Sequence, residues 1–139
     1  GLGDTAGQAR VRRRVSWLAN VLQMCEGKNI LECGCGTGIF SRESAKSGAK
    51  ITSFDISHDL LQKARSECSA ENIHFVQGNL EAPDFLEDNS FDAICGISVL
   101  HHLDVAKALP ALRKKLKSTA TFAFSEPNLS NPIIEHSTG

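Results

Sequence analysis

The sequence predicts an α/β fold, a mainly parallel and doubly wound sheet with helices packed on it. Three observations carry that prediction. Short apolar runs at 30–31, 50–54, 73–76, 91–95 and 120–124 suit buried strands, and stretches with helical spacing of apolar residues alternate with them. Helix and strand punctuation stands at the junctions, in Gly34, Gly48, Ser57 and Gly78. Glu32, Asp55, Asn79, Gly96 and Glu126 all fall at or just past strand ends, and sheets of this type take their ligands there.

Thr5 and Gln8 have the spacing of a capping box that opens a helix. Val11, Val15, Leu18 and Leu22 share one face of that helix, and Gly27 is its expected end. The other face carries Arg10, Arg12, Arg13 and Arg14, which read either as a solvated face or as an anion site or lid. The first strand runs through Ile30 and Leu31 into Gly34, Gly36 and Gly38, and a second helix over 39–47 closes at Gly48. After the strand at 50–54, Ser57 is the N-cap of a third helix packed through Leu60, Leu61, Ala64 and Cys68. The third strand ends at Gly78-Asn79-Leu80. Pro110 either kinks the helical pattern of 104–116 or begins a helix.

The stretch Asn-Ile-Leu-Glu-Cys-Gly-Cys-Gly-Thr-Gly-Ile-Phe, residues 29–40, organises the rest. Glycine lets a ligand lie directly on the main chain, and the free N–H groups of the following helix favour a negative or strongly polar group. A dinucleotide fingerprint needs a third glycine at position 39, where Ile39 stands. The pattern here is Glu32-x-Gly34-x-Gly36-x-Gly38, followed 21 residues after Gly34 by Asp55. A carboxylate at the neighbouring strand end accepts hydrogen bonds from both hydroxyls of a ribose, so the pair suits an adenosine-bearing cofactor.

Composition bounds the partners. A 41% hydrophobic content before the 11 glycines are counted predicts one folded, soluble domain of ordinary globular type. A net charge of −1 supplies no field for nucleic acid or an anionic membrane, and no apolar run approaches the roughly 18 residues of a membrane span. With no basic-then-apolar leader at the start, a cytoplasmic location is expected. Five cysteines are an odd number in mostly apolar runs, as reduced thiols would be. Cys33-x-Cys35 lacks zinc-knuckle spacing and has no second ligand pair, so no metal is expected. Cys33 reads instead as a packed strand residue.

The run Ile-Leu-Glu-Cys-Gly-Cys-Gly-Thr-Gly, the Phe-Asp-Ile-Ser that ends at Ser57, and the later Phe-Asp-Ala-Ile-Cys-Gly-Ile-Ser-Val-Leu-His-His-Leu resemble class I S-adenosylmethionine-dependent methyltransferases of the ubiquinone/menaquinone-biosynthesis-like (type 11) branch. The likeness covers about 29–128. It implies a Rossmann-like sheet of seven strands, of which five are visible here, the C-terminal antiparallel hairpin being missing from the sequence pattern. The division it implies is a single domain over 1–139: an N-terminal helix or lid over 1–27, a core over 28–128, and a tail over 129–139 cut short.

The resemblance also assigns roles. S-adenosyl-L-methionine would be the cofactor and S-adenosyl-L-homocysteine the product, with methyl transfer to a small-molecule or lipid-like acceptor. Glu32 would orient the methionine end over Gly34, Cys35, Gly36 and Gly38, and Asp55 with Ile56 would hold the ribose side. Gly78, Asn79 and Leu80 would meet the adenine edge, although the family usually has aspartate where Asn79 stands. Gly96 and the turn to Val99 would border the methyl group. His101 and His102 are candidate general bases, the other reading being one packed and one hydrogen-bonded ring. Glu126 and Asn128 sit where an acceptor is contacted, and Asp104 reads as a helix cap rather than a base. The family's Lys-Pro-Gly-Gly turn before strand five is replaced by Lys117-Ser118-Thr119, expected to form a shorter turn. A bare edge at strand five would invite a homodimer. Two alternatives stand beside the enzyme: a non-catalytic cofactor-binding module or scaffold, and an NAD(P)-dependent oxidoreductase, against which the missing glycine and the absence of tyrosine both count.

Overall fold

The computed structural model describes residues 5–34, 38–97, 108, 110–125 and 133–136. In chain order they build α1 (Ala6–Val21), β1 (Asn29–Cys33), α2 (Ile39–Ala45), β2 (Lys50–Asp55), α3 (His58–Glu67), β3 (Ile73–Gln77), a 3-10 turn (Pro83–Phe85), β4 (Phe91–Ile97), β5 (Leu116–Ser125) and β6 (Ile133–His136). Ala108 and residues 110–113, Pro110 among them, also have helical backbone.

The strands form one sheet in the order β3-β2-β1-β4-β5-β6. The first five are parallel, as the sequence predicts, and β6 runs antiparallel to β5. The chain winds outward from β1 through β2 to β3, then returns to the other side of β1 with β4. That reversal between β1 and β4 is the topological switch point at which open α/β sheets hold ligands.

Alternation along the strands divides the core. Ile30, Ile51 and Cys95 face one side, where Val15 and Leu18 of α1 and Phe40 of α2 cover them. Leu31, Cys33, Phe54 and Ile94 face the other, against Leu86, Ala108, Leu112 and Leu116. α3 adds Leu61 and Ala64 against Phe75. Each fully buried aliphatic side chain here, such as Leu18, Ile30, Leu31, Ile51 or Ile94, contributes on the order of 1.5–3 kcal/mol relative to exposure. The two apolar layers therefore hold the strand ends, and whatever they carry, at fixed spacing.

Local signals are realised at most helix starts. Thr5 Oγ1 accepts from the Gln8 N–H at 3.1 Å while Gln8 Oε1 accepts from the Thr5 N–H at 2.9 Å, completing the capping box. The Ser57 hydroxyl accepts from the Leu60 N–H at 3.2 Å and caps α3.

Four expectations are corrected. α1 ends at Val21 rather than near Gly27, because Gln23 takes a left-handed φ of 53° and the Met24 N–H returns to the Ala19 carbonyl. Gly27, with φ 92°, serves the turn into β1. Leu60 is exposed, so the packing face of α3 is Leu61 and Ala64 alone. Lys117-Ser118-Thr119 is not a turn but lies inside β5: the register shifts between the pairs Phe91–Leu116 and Ala93–Thr121, and the Lys117 ammonium stands 3.2 Å from Asp92, holding the shifted segment against β4. The tail, expected to hold no strand, contributes β6, so the edge of β5 is covered and the outer strands are β3 and β6.

Candidate functional site

The carboxyl ends of β1, β2 and β3 lie side by side because the strands are parallel and nearly in register, Glu32 with Ser53 and Asp55 with Gln77. Backbone hydrogen bonds tie the three turns that follow. The Gly34 N–H donates to the Phe54 carbonyl at 2.8 Å, and the Gly78 N–H to the Asp55 carbonyl at 3.0 Å. Gly34, with φ 75°, and Gly38, with φ 84°, take left-handed conformations that a side chain would strain. A Cβ on Gly38, the N-cap of α2, would stand 3.1 Å from the Ala64 Cβ. The start of α2 therefore packs directly on α3, which sets how the glycine turn sits above β1.

Glu32 is buried at the last turn of β1, 1% exposed. Its Oε1 accepts from the Ser41 hydroxyl at 2.6 Å, and Ser41 Oγ lies 2.9 Å from Ser53 Oγ. Its Oε2 is buried and has no hydrogen-bond partner among the described residues. Burial, and less strongly the Asp55 charge, push the Glu32 carboxyl up to about 8 against the pull of Ser41 and Ser53. An uncompensated buried acceptor costs about 1–3 kcal/mol unless a donor reaches it. The arrangement thus offers one carboxylate oxygen to a donor-bearing or cationic group.

Asp55 is half-buried at the end of β2 and accepts from the Ser57 N–H through Oδ1 at 2.9 Å. That Asx-type bond turns the chain into α3 and fixes the carboxylate at the strand tip. Ile56, beside it, is 67% exposed, an apolar side chain at the rim. On the β3 side, Asn79 Oδ1 accepts from the Glu81 N–H at 2.9 Å, and the Ala82 N–H bonds the Asn79 carbonyl at 3.0 Å. This tight turn leads into Pro83–Phe85. A Cβ on Gly78 would overlap the Phe85 ring, which packs edge-to-face on Phe54 with centroids 5.4 Å apart. Leu80 is half-buried against the same core. The rim between β2 and β3 therefore has apolar walls, Ile56 and Phe85, next to a carboxylate, an assembly able to take a flat ring joined to a polyol.

The structure brings Glu32, Gly34, Gly38, Asp55, Ile56, Gly78, Asn79 and Leu80 to one end of the sheet, and Gly96 lies in β4 on the other flank of β1. Cys35, Gly36, His101, His102, Asp104, Glu126 and Asn128 lie outside the described residues. Cys33 is a packed strand residue, its thiol raised by burial and by Glu32. Three participants escape sequence reasoning: Ser41, Ser53 and Phe85. Ser53 had a signal, since strand alternation sets it on the same face of β2 as buried Ile51 and as Asp55; Ser41 and Phe85 had none.

Residues 31–124 match the family model described as methyltransferase domain. The ubiquinone biosynthesis O-methyltransferase of Pasteurella multocida (strain Pm70) is 31% identical over 127 residues, covering 83% of this chain and 52% of that protein. The demethylmenaquinone methyltransferase of Tropheryma whipplei (strain Twist) is 37% identical over 84 residues, 60% of this chain and 34% of the relative. Among solved structures, an S-adenosylmethionine-dependent methyltransferase from Mesorhizobium loti superposes with a TM-score of 0.67 at 28% identity, covering 81% of this chain and 52% of that one. The chain spans about half the length of the curated relatives it matches.

Proposed function

This chain belongs to the methyltransferase-domain family, and from that premise we propose that it binds S-adenosyl-L-methionine and supports transfer of its methyl group to a small-molecule or lipid-like acceptor of quinone-precursor type, leaving S-adenosyl-L-homocysteine. The observation that carries the proposal is the pair of carboxyl groups, Glu32 and Asp55, at the tips of adjacent parallel strands β1 and β2, with β1 bordering the switch point of the sheet.

The residues fit that ligand. Glu32 Oε2, without a hydrogen-bond partner among the described residues, is an acceptor for the ammonium of its amino-acid end, and Gly34, Cys35, Gly36 and Gly38 are assigned to the same end of the ligand. Asp55 takes the ribose hydroxyls, and Ile56 lies along the ring system they carry. Gly78, Asn79 and Leu80 border the adenine; with Asn79 Oδ1 engaged by Glu81, the remaining amide and the Leu80 backbone supply its hydrogen bonds. The cofactor supplies an electrophilic methyl group on a positively charged sulfur. The protein's part is to hold donor and acceptor at attack distance and exclude water, worth several orders of magnitude in effective molarity. Gly96 borders the reacting centre, and His101 or His102 takes the acceptor's proton where the acceptor is a hydroxyl. No finding favours a non-catalytic module or a nicotinamide enzyme.

The N-terminal segment 1–27 is assigned as a lid, the protein as cytoplasmic, and any homodimer as formed through an outer strand of the sheet. Among the described residues no helix is long and apolar enough to cross a membrane. Incubation with methyl-labelled S-adenosyl-L-methionine and hydroxylated quinone precursors tests the activity. Label in the organic phase supports it, and binding of the donor without transfer to any such acceptor overturns the acceptor assignment.

A further inference from the structure

The Glu32 cluster holds more than a binding contact. When Glu32 is ionised, Ser41 directs its one hydroxyl hydrogen to Oε1 at 2.6 Å and Ser53 becomes the donor in the 2.9 Å contact between the two serines. The three side chains form a one-way chain from Ser53 through Ser41 to the carboxyl, all at or below 1% exposure. It ends in an oxygen, Oε2, that has no hydrogen-bond partner among the described residues. A carboxylate so placed receives one direct hydrogen bond, on Oε1, backed by the second serine.

The surroundings decide its charge. From β2 it faces the hydroxyl of Ser53 and the like charge of Asp55; from β4, the Cys95 thiol; on its own strand, the Cys33 thiol. Both thiols are raised by burial and stay neutral. α2 offers the Ser41 hydroxyl, and α1 buries Val15 and Leu18 on this side. Among the described residues no cation pairs with Glu32. An ionised carboxylate under these conditions costs far more than a neutral one.

We propose that Glu32 is protonated in the empty protein and gives that proton to solvent when the ammonium group of the donor's amino-acid end arrives, so that cofactor binding is coupled to release of one proton, with Ser41 and Ser53 as positioning residues that hold the carboxylate so formed. The proton balance is simple: the carboxylic acid loses its hydrogen to water or buffer, the ligand keeps its ammonium, and a buried ion pair replaces a neutral acid. This inference rests on the cofactor reading above and adds the linkage. With Glu32 pushed up to about 8, roughly nine molecules in ten carry the proton at pH 7. Below that value the affinity for an ammonium-bearing ligand falls about tenfold per pH unit.

The test is calorimetric titration of the chain with S-adenosyl-L-homocysteine at pH 7 in several buffers of different ionisation enthalpy, which counts protons exchanged. About 0.9 proton released per ligand is expected, none for methylthioadenosine, which lacks the amino-acid end, and none for either ligand with Glu32→Gln. Ser41→Ala removes the bond that lowers the Glu32 value, so the break in the plot of Kd against pH moves to higher pH; a serine that served packing alone would leave it in place. Homocysteine-ligand binding with no proton released and a Kd flat from pH 6 to 8 overturns the inference while leaving the cofactor reading intact. Failure of both ligands to bind at any pH overturns the two together.

Discussion

Asp55→Asn removes the charge offered to the ribose while keeping an acceptor for the turn into α3. The Oδ1 of Asp55 holds the Ser57 N–H at 2.9 Å, and asparagine keeps that acceptor, so the turn into α3 is preserved. What changes is the second oxygen, replaced by an NH2, and the negative charge. Hydrogen bonds to a charged acceptor are worth about 1.5–3 kcal/mol against 0.5–1.5 for neutral ones. Two ribose hydroxyls therefore lose together about 1.5–3 kcal/mol, or roughly 10- to 150-fold in Kd. Calorimetric titration with S-adenosyl-L-homocysteine reads the loss, while free adenine, which has no ribose, should bind wild type and variant alike. Equal affinity of the variant for the homocysteine ligand would show that no ribose is held at Asp55.

Gly38→Ala places a side chain at φ 84° and within 3.1 Å of the Ala64 Cβ, so it should cost about 1–2 kcal/mol in urea unfolding and weaken cofactor binding as α2 shifts; an unchanged midpoint contradicts the tight α2–α3 contact. Ligand-free stability should depend on pH through Glu32. Its folded value of about 8 lies above the ordinary 4.5, so the folded protein binds a proton that the unfolded chain has lost, and that stabilisation is full below about pH 4.5 and lost as pH rises to about 8. The stability difference between wild type and Glu32→Gln should then shift in favour of the glutamine by on the order of a few kcal/mol from pH 5 to pH 8, whereas a constant difference refutes the buried acid. Lys115, 7% exposed, donates to the Leu86 carbonyl at 2.9 Å and to exposed Asp88 at 2.7 Å. Lys115→Met should cost about 1–3 kcal/mol, because it strands a buried carbonyl. Asp88→Ala should barely move the urea midpoint, since its partner's other bond remains.

Much of this was legible in the sequence because single residues carried it. The strand at Ile30 and Leu31, the glycine turn and the carboxylate of Asp55 stand at the spacing of adjacent parallel strand ends, and Thr5 and Ser57 mark helix starts by local chemistry alone. What escaped depends on partners far along the chain. Ser41 reads as an ordinary polar helix residue until α2 packs on the sheet and brings it to Glu32 and Ser53. Phe85 gains meaning only because Gly78 leaves room for its ring. Lys117 to Thr119 looked like a turn by comparison with a glycine-bearing relative, but pairing with β4 and the ion pair with Asp92 draw the segment into a strand. β6 is four residues long, too short for alternation to announce it, and its place follows from the open edge of β5.

A crystal structure of the chain grown with S-adenosyl-L-homocysteine tests the central claim most directly. The expected density lies above Gly34, with the ribose hydroxyls within hydrogen-bond distance of the Asp55 carboxylate and the ammonium beside Glu32 Oε2. Ligand density anywhere else on the protein, with Asp55 and Glu32 untouched, would contradict it.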